Sequence, residues 1–268
     1  MNLSSAPIGI FDSGIGGLTV AKAVMELLPE EDIIYFGDTA RVPYGIKSVE
    51  TVRNYALQIT RFLLEKKVKM ILIACNTVSA SAKKEILEMA GEIPVIDVIT
   101  AGAEVAVSLP IHKQVGVIGT LATVNSNAYE KAIHELDSDA TVDQKACPLL
   151  VPLAEEGWID NEVARQTLRT YLQHFDQIPI NSLILGCTHY PLFKEVIGDE
   201  LASRNVNVID SAESIAEEAK RQLAASDNLN QNGGSLHCFV SDRPQRFEEL
   251  AERFLGKQLS RIEIVELS

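Results

Sequence analysis

Apolar residues fall along this chain in two rhythms. Short unbroken runs rich in Ile and Val predict strands at 8–11, 33–36, 70–74, 95–97, 115–118, 183–185, 206–209 and 236–240. Between them, apolar positions recur at helical spacing and predict helices such as 18–28, 49–66, 81–89, 125–136, 161–175 and 212–224. The strand runs are continuous rather than alternating, so both faces should be buried, as in a parallel sheet. Strand and helix alternate, which defines an α/β protein with short loops. Ligands of such sheets gather beyond the carboxyl ends of the strands. Residues just after each strand are therefore the first candidates for chemistry.

The strand ends repeat. Ile8-Gly9-Ile10-Phe11 is echoed by Val115-Gly116-Val117-Ile118. Ile71-Leu72-Ile73-Ala74-Cys75-Asn76-Thr77 is echoed by Leu183-Ile184-Leu185-Gly186-Cys187-Thr188-His189, and Val95-Ile96-Asp97 by Val208-Ile209-Asp210. The offsets are 107, 112 and 113 residues. A duplicated α/β unit accounts for them economically. It predicts two similar, pseudo-symmetric domains with mainly parallel sheets flanked by helices and an active site in the cleft between them. Residues 1–97 with 208–268 form the first domain and 98–207 the second, the stretch after Asp210 returning to the first.

Composition narrows the function. Of 268 residues, 46% are hydrophobic, too many for a disordered chain. There are 37 acidic and 24 basic side chains, a net charge of −13. That balance argues against a nucleic-acid partner or an anionic membrane surface. A small anionic substrate is still allowed, because a site is local and net charge is global. The four cysteines, Cys75, Cys147, Cys187 and Cys238, include no close pair, unlike a secreted disulfide scaffold. The first basic residue is Lys22, so no basic signal-peptide region precedes it. No apolar run reaches the roughly 18–20 residues of a membrane span. The expectation is a cytoplasmic protein with reduced thiols.

The repeat sets Cys75 and Cys187 at matching strand ends. Each is followed by polar groups and a predicted helix, whose N-terminal N–H groups favour a thiolate. One such cysteine alone is more often a small buried hydrophobe; two at pseudo-symmetric positions point at one cleft from opposite sides. Cys147 and Cys238 lack this context and read as structural. Asp12 and Ser13 open the glycine-rich turn Asp12-Ser13-Gly14-Ile15-Gly16-Gly17. Its spacing is not that of a dinucleotide fingerprint, and no phosphate-loop lysine follows. Either residue reads as a helix cap, or as a group that meets a substrate ammonium or orients a thiol. The glycines suit backbone N–H approach to a carboxylate or phosphate. His189 either tunes Cys187 or caps the helix behind it. Thr77 and Thr188 read equally as caps, Pro43-Tyr44-Gly45 as an ordinary turn, and Glu155 as a solvated carboxylate. No Cys/His cluster has zinc spacing and no lysine is placed for a Schiff base, so neither metal nor pyridoxal phosphate is expected.

Two acid/base groups facing each other across one carbon imply stereoinversion. One removes a proton from one face and the other delivers a proton to the opposite face. Thiols suit this, since a free pKa of about 8.5 can be tuned toward neutrality. A hydrolase would need a single nucleophile with a histidine base.

At these residues the sequence resembles the cofactor-independent glutamate racemases of the aspartate/glutamate racemase superfamily. The resemblance runs through residues 10–20, 35–45, 74–80 and 185–192, and covers essentially the whole chain. It implies interconversion of L- and D-glutamate without cofactor or metal, supplying D-glutamate for peptidoglycan. It implies that Cys75 abstracts from D-glutamate with help from Asp12, and Cys187 from L-glutamate with help from His189 and Glu155. It further implies substrate contacts from Asp12, Ser13, Pro43, Tyr44, Gly45, Asn76, Thr77, Thr120, Thr123, Thr188 and His189, and a homodimer. Alternatives are an aspartate racemase or another superfamily isomerase, or a non-catalytic binding role such as an amino-acid sensor or topoisomerase inhibitor.

Overall fold

The computed structural model describes residues 3–242, 244–259 and 261–267. The first half runs β1 (Ile8–Asp12), α1 (Leu18–Leu27), β2 (Ile33–Gly37), α2 (Val49–Glu65), β3 (Met70–Ile73), α3 (Asn76–Ala90), β4 (Val95–Asp97) and α4 (Val98–Ser108). Then follow β5 (Gln114–Gly119), α5 (Leu121–Ser126), α6 (Ala128–Leu136), β6 (Thr141–Ala146), α7 (Leu150–Glu156), α8 (Glu162–Leu172), β7 (Ser182–Gly186), α9 (Lys194–Leu201) and β8 (Asn207–Asp210). The chain closes with α10 (Ser211–Ala225), β9 (Leu236–Val240), α11 (Pro244–Leu255) and β10 (Ile262–Ile264).

The strands form two sheets, ordered β10-β9-β2-β1-β3-β4 and β6-β5-β7-β8. Every pairing is parallel. The order 2-1-3-4 of the first sheet recurs as 6-5-7-8 in the second, so the duplication read from three strand ends extends to whole topology. In each unit the chain steps to opposite sides of its central strand, leaving a crevice at the carboxyl ends of β1 and β3, and of β5 and β7. Apolar clusters cover both faces of both sheets. That explains the unbroken hydrophobic runs: β1, β3 and β7 are buried at every position.

The repeated Val-Ile-Asp ends are helix caps. Asp97 Oδ1 accepts from the backbone N–H groups of Ile99 and Thr100, both at 3.0 Å. Asp210 Oδ1 accepts from Ala212 N–H at 2.8 Å. Such caps stabilise by about 1 kcal/mol each, and here they turn the chain from strand to helix at both crossings between the sheets. The domain boundary expected at 208 falls inside β8. That strand pairs with β7, so the return to the first sheet begins at α10, whose apolar face joins the first core. α4 is shared: Val98 and Ala101 pack in the first core, Ile99, Ala103 and Ala106 in the second. The helix expected over 125–136 is broken at Asn127, which adopts φ +52° between α5 and α6. Among the described residues no helix is long and apolar enough to cross a membrane.

Candidate active site

A cavity of about 390 Å³ opens at the carboxyl ends of both sheets. Asp12, Ser13, Pro43, Tyr44, Gly45, Cys75, Asn76 and Thr77 line it from the first unit, and Thr120, Glu155, Cys187, Thr188 and His189 from the second. Both thiols thus face one space from corresponding strand ends.

On the first wall, Cys75 stands at the N-cap of the 15-residue α3. Its Sγ donates to Ser13 Oγ at 3.5 Å. Burial, with the negative charge of Asp12 next, pushes the thiol up to about 12. The acidification expected from the helix N-terminus is therefore outweighed at Cys75: desolvation and a like charge both favour the neutral thiol. Asp12 Oδ2 accepts from the N–H groups of Gly14 (3.2 Å) and Gly17 (3.1 Å). The carboxylate that the glycine-rich turn cradles is thus the protein's own. Gly17 admits no side chain, since a Cβ there would lie 2.6 Å from the Asp12 Cβ.

On the second wall, Cys187 Sγ lies 4.0 Å from His189 Nδ1, and His189 Nε2 lies 3.2 Å from Glu155 Oε1. Burial alone would lower the His189 pKa. Hydrogen bonds to Cys187 and Glu155 outweigh it and push the imidazole up to about 10. His189 makes no cap bond to the turn Tyr190–Phe193 that follows it. That turn is 3-10, so no α-helix begins directly behind Cys187.

α11 backs this wall from the first unit. The Phe254 ring meets the His189 ring edge-on at 5.2 Å and 88°. Arg253 Nη1 donates to the backbone oxygen of Glu155. Thr19 Oγ1, in α1, donates to the Thr188 backbone oxygen at 2.9 Å. Gly16 is forced at this seam, because a Cβ would stand 2.3 Å from Thr188 Oγ1 and 2.4 Å from His189 Nδ1.

The remaining expected contacts divide. Tyr44 lines the cavity, but its phenol donates to the fully buried Asp38, whose Oδ2 also holds Arg41 Nε at 2.6 Å. The polar groups that Pro43, Tyr44 and Gly45 offer the cavity are thus backbone ones. Asn76 is buried, and its Nδ2 has no hydrogen-bond partner within the protein. Thr120 lines the cavity and caps α5. Thr123 departs from expectation. It is fully buried one helical turn behind the wall, where its Oγ1 bonds Thr120 Oγ1 at 3.0 Å. It steadies Thr120 and is absent from the cavity lining. Cys147 and Cys238 lie in apolar cores, and burial raises each thiol to about 12. Among the described residues no cluster of three or more His, Cys, Asp or Glu could hold a metal ion.

Asp38, Arg253 and Phe254 escape sequence reasoning. Asp38 follows β2 in the strand-end position that rewards inspection elsewhere; the two α11 residues carry no local signal.

The fold matches that of known proteins. A family model described as Asp/Glu/Hydantoin racemase matches residues 18–219. Over 263 residues the chain is 51% identical to a glutamate racemase of Neisseria meningitidis serogroup C, covering 97% of each. The crystal structure of glutamate racemase from Francisella tularensis in complex with D-glutamate matches with a TM-score of 0.91 and 44% identity over 98% of both chains. A glutamate racemase isoform from Bacillus anthracis matches with a TM-score of 0.93 and 40% identity, again over 98% of both. The class is therefore that of the amino-acid racemases, enzymes of the isomerase type. Within it, the chain belongs to the Asp/Glu/hydantoin racemase family.

Proposed function

We propose that this enzyme interconverts L- and D-glutamate by two-base proton transfer between Cys75 and Cys187. The observation that carries the reading is the placement of both thiols on one cavity, at corresponding ends of a repeated sheet, Cys75 beside the Ser13 hydroxyl and the Asp12 charge and Cys187 beside His189. The relatives named as glutamate racemases support the substrate.

Among the described residues the lining holds no lysine or arginine. A dicarboxylate amino acid is then bound by hydroxyls, backbone N–H groups at the start of α3, and the Asn76 amide. Starting from L-glutamate, the Cys187 thiolate takes the α-proton; the C–H bond breaks and its electron pair stays on carbon. The resulting charge spreads into the α-carboxylate, where preorganised donors stabilise it. The Cys75 S–H bond then breaks and its proton forms the new C–H bond on the opposite face. The His189 imidazolium compensates negative charge whenever Cys187 carries it. Starting from D-glutamate the roles exchange, with Asp12 serving Cys75. D-glutamate made this way would feed peptidoglycan synthesis, and the enzyme would act as a homodimer, a point light scattering checks.

The test is to incubate each enantiomer in deuterated water with wild type, Cys75→Ser and Cys187→Ser. Wild type should invert both enantiomers with solvent deuterium entering the product, and each variant should lose racemisation. Full racemisation by either variant would overturn the mechanism. Turnover of aspartate in place of glutamate would move the substrate assignment.

A further inference from the structure

We infer that Tyr129 is a positioning residue that spans the two thiol-bearing walls and fixes the Asn76 amide for substrate, a reading that rests on the function proposed above. Tyr129 lies on α6, fully buried in the second core. Its ring edge lies against Gly186, the residue before Cys187: a Cβ on Gly186 would stand 2.9 Å from Tyr129 Cε2. Its phenol crosses to the first unit and donates to Asn76 Oδ1 at 2.8 Å, and Asn76 directly follows Cys75. One stiff side chain thus touches the chain neighbours of both thiols. The other cross-unit bonds named above, from Thr19 and Arg253, both end on the second wall.

The hydrogen bond also orients the amide. Asn76 is 4% exposed and lines the cavity. With Oδ1 occupied by the phenol, Nδ2 is left as a buried donor without a protein partner. A donor there suits a carboxylate, whereas the flipped amide would set an oxygen against it. Burial, with the charge of Asp97 next, raises the phenol above its ordinary range, so it stays protonated and keeps donating.

A double-mutant cycle tests this by steady-state racemisation in both directions. Tyr129→Phe keeps the ring and removes the donor. It should lower kcat/KM about 10- to 100-fold, as expected for a misdirected bond to a charged group. The fall must be equal in both directions, because the equilibrium constant of racemisation is unity. Asn76→Ala should lose at least as much, and the double variant no more than Asn76→Ala alone. The pH profile should keep its wild-type limbs, since no titrating group of the site changes. Wild-type kcat/KM in Tyr129→Phe, or losses that multiply in the double variant, would overturn the inference. If Tyr129→Phe unfolds, the double variant, which leaves no orphaned acceptor, is compared with Asn76→Ala: equal activity supports the inference and a further tenfold loss overturns it. Wild type active on glutamate beside an unaffected Tyr129→Phe refutes this inference alone; wild type inactive on both enantiomers refutes the functional reading with it.

Discussion

Cys75 and Cys187 follow corresponding strands of a repeated sheet, yet the groups set against them carry opposite charge. Cys75 has a hydroxyl at 3.5 Å, but burial and the nearby Asp12 carboxylate outweigh it and keep the group a thiol. Cys187 has an imidazole at 4.0 Å that is raised to about 10 and braced by Glu155. Cys75 occupies the N-cap position of a long α-helix, whereas Cys187 precedes a 3-10 turn. Duplication has kept the backbone position of the thiol and let its electrostatics diverge. A duplicated scaffold thereby sets two thiols on one cavity without giving them equal surroundings. On the proposed mechanism, inversion would run between a wall that holds its proton tightly and a wall that carries a cation.

The largest test of this contrast removes one thiol at a time. Cys75→Ala and Cys187→Ala should each lower racemisation by roughly 10³-fold or more. The thiol left behind should still exchange the α-hydrogen of one enantiomer with deuterated solvent, without inversion, as read by NMR. Cys75→Ala should label only L-glutamate and Cys187→Ala only D-glutamate. If both variants label the same enantiomer, the two walls are not opposed.

Next in size are the partners. His189→Asn and Asp12→Asn should each lower kcat/KM by about 10²-fold, the lower end for a positioned acid/base group. The two directions must share that loss, but kcat and KM taken separately should move unequally. His189→Asn should depress kcat more from L-glutamate, and Asp12→Asn more from D-glutamate, in polarimetric assays run from each side. Identical changes in the two variants would erase the distinction between the walls.

Arg253→Ala should act only through the Cys187 wall, by releasing the Glu155 backbone. A loss of about 3- to 10-fold in kcat is expected, with the same directional bias as His189→Asn. A bias resembling that of Asp12→Asn would place α11 on the wrong wall.

The smallest effect is on stability. The folded-state pKa of His189, about 10, lies above its ordinary 6.5. The folded protein therefore binds the proton more tightly than the unfolded chain does. The resulting stabilisation is full below the ordinary value and is lost as pH rises to about 10. The Tm advantage of wild type over His189→Asn should shrink steadily from pH 6.5 to 10 in scanning calorimetry. An advantage that grows with pH would contradict a charged His189.

The parts of this molecule legible in its sequence are those whose burial is uniform. β1, β3, β5 and β7 sit at sheet centres and read as unbroken apolar runs. β6 escapes because it is an edge strand, exposed or half-buried at every position and spelled Thr-Val-Asp-Gln-Lys-Ala. The repeat still locates it, since β2 lies 108 residues earlier. β10, another edge strand, escapes for the same reason. α4 is apolar nearly all round because it packs into both cores, so it lacks the polar face that marks a surface helix. At the site, residues attached to strand ends were findable by position. Thr123 looked like its neighbour Thr120 but turns inward at the next helical turn. Arg253 reaches a backbone oxygen 98 residues away, a contact with no local signature.

One further consequence follows from the chain leaving the first sheet after Asp97 and rejoining it after Asp210. A ribosome makes the second unit in one continuous stretch, and its four strands are complete when residue 210 emerges. The first unit begins earlier but finishes later. Its core still awaits Ile215, Leu223, Cys238, Phe247 and Phe254. The domain started first is thus the last to close, and a nascent chain carries both thiols long before it has the wall that braces His189.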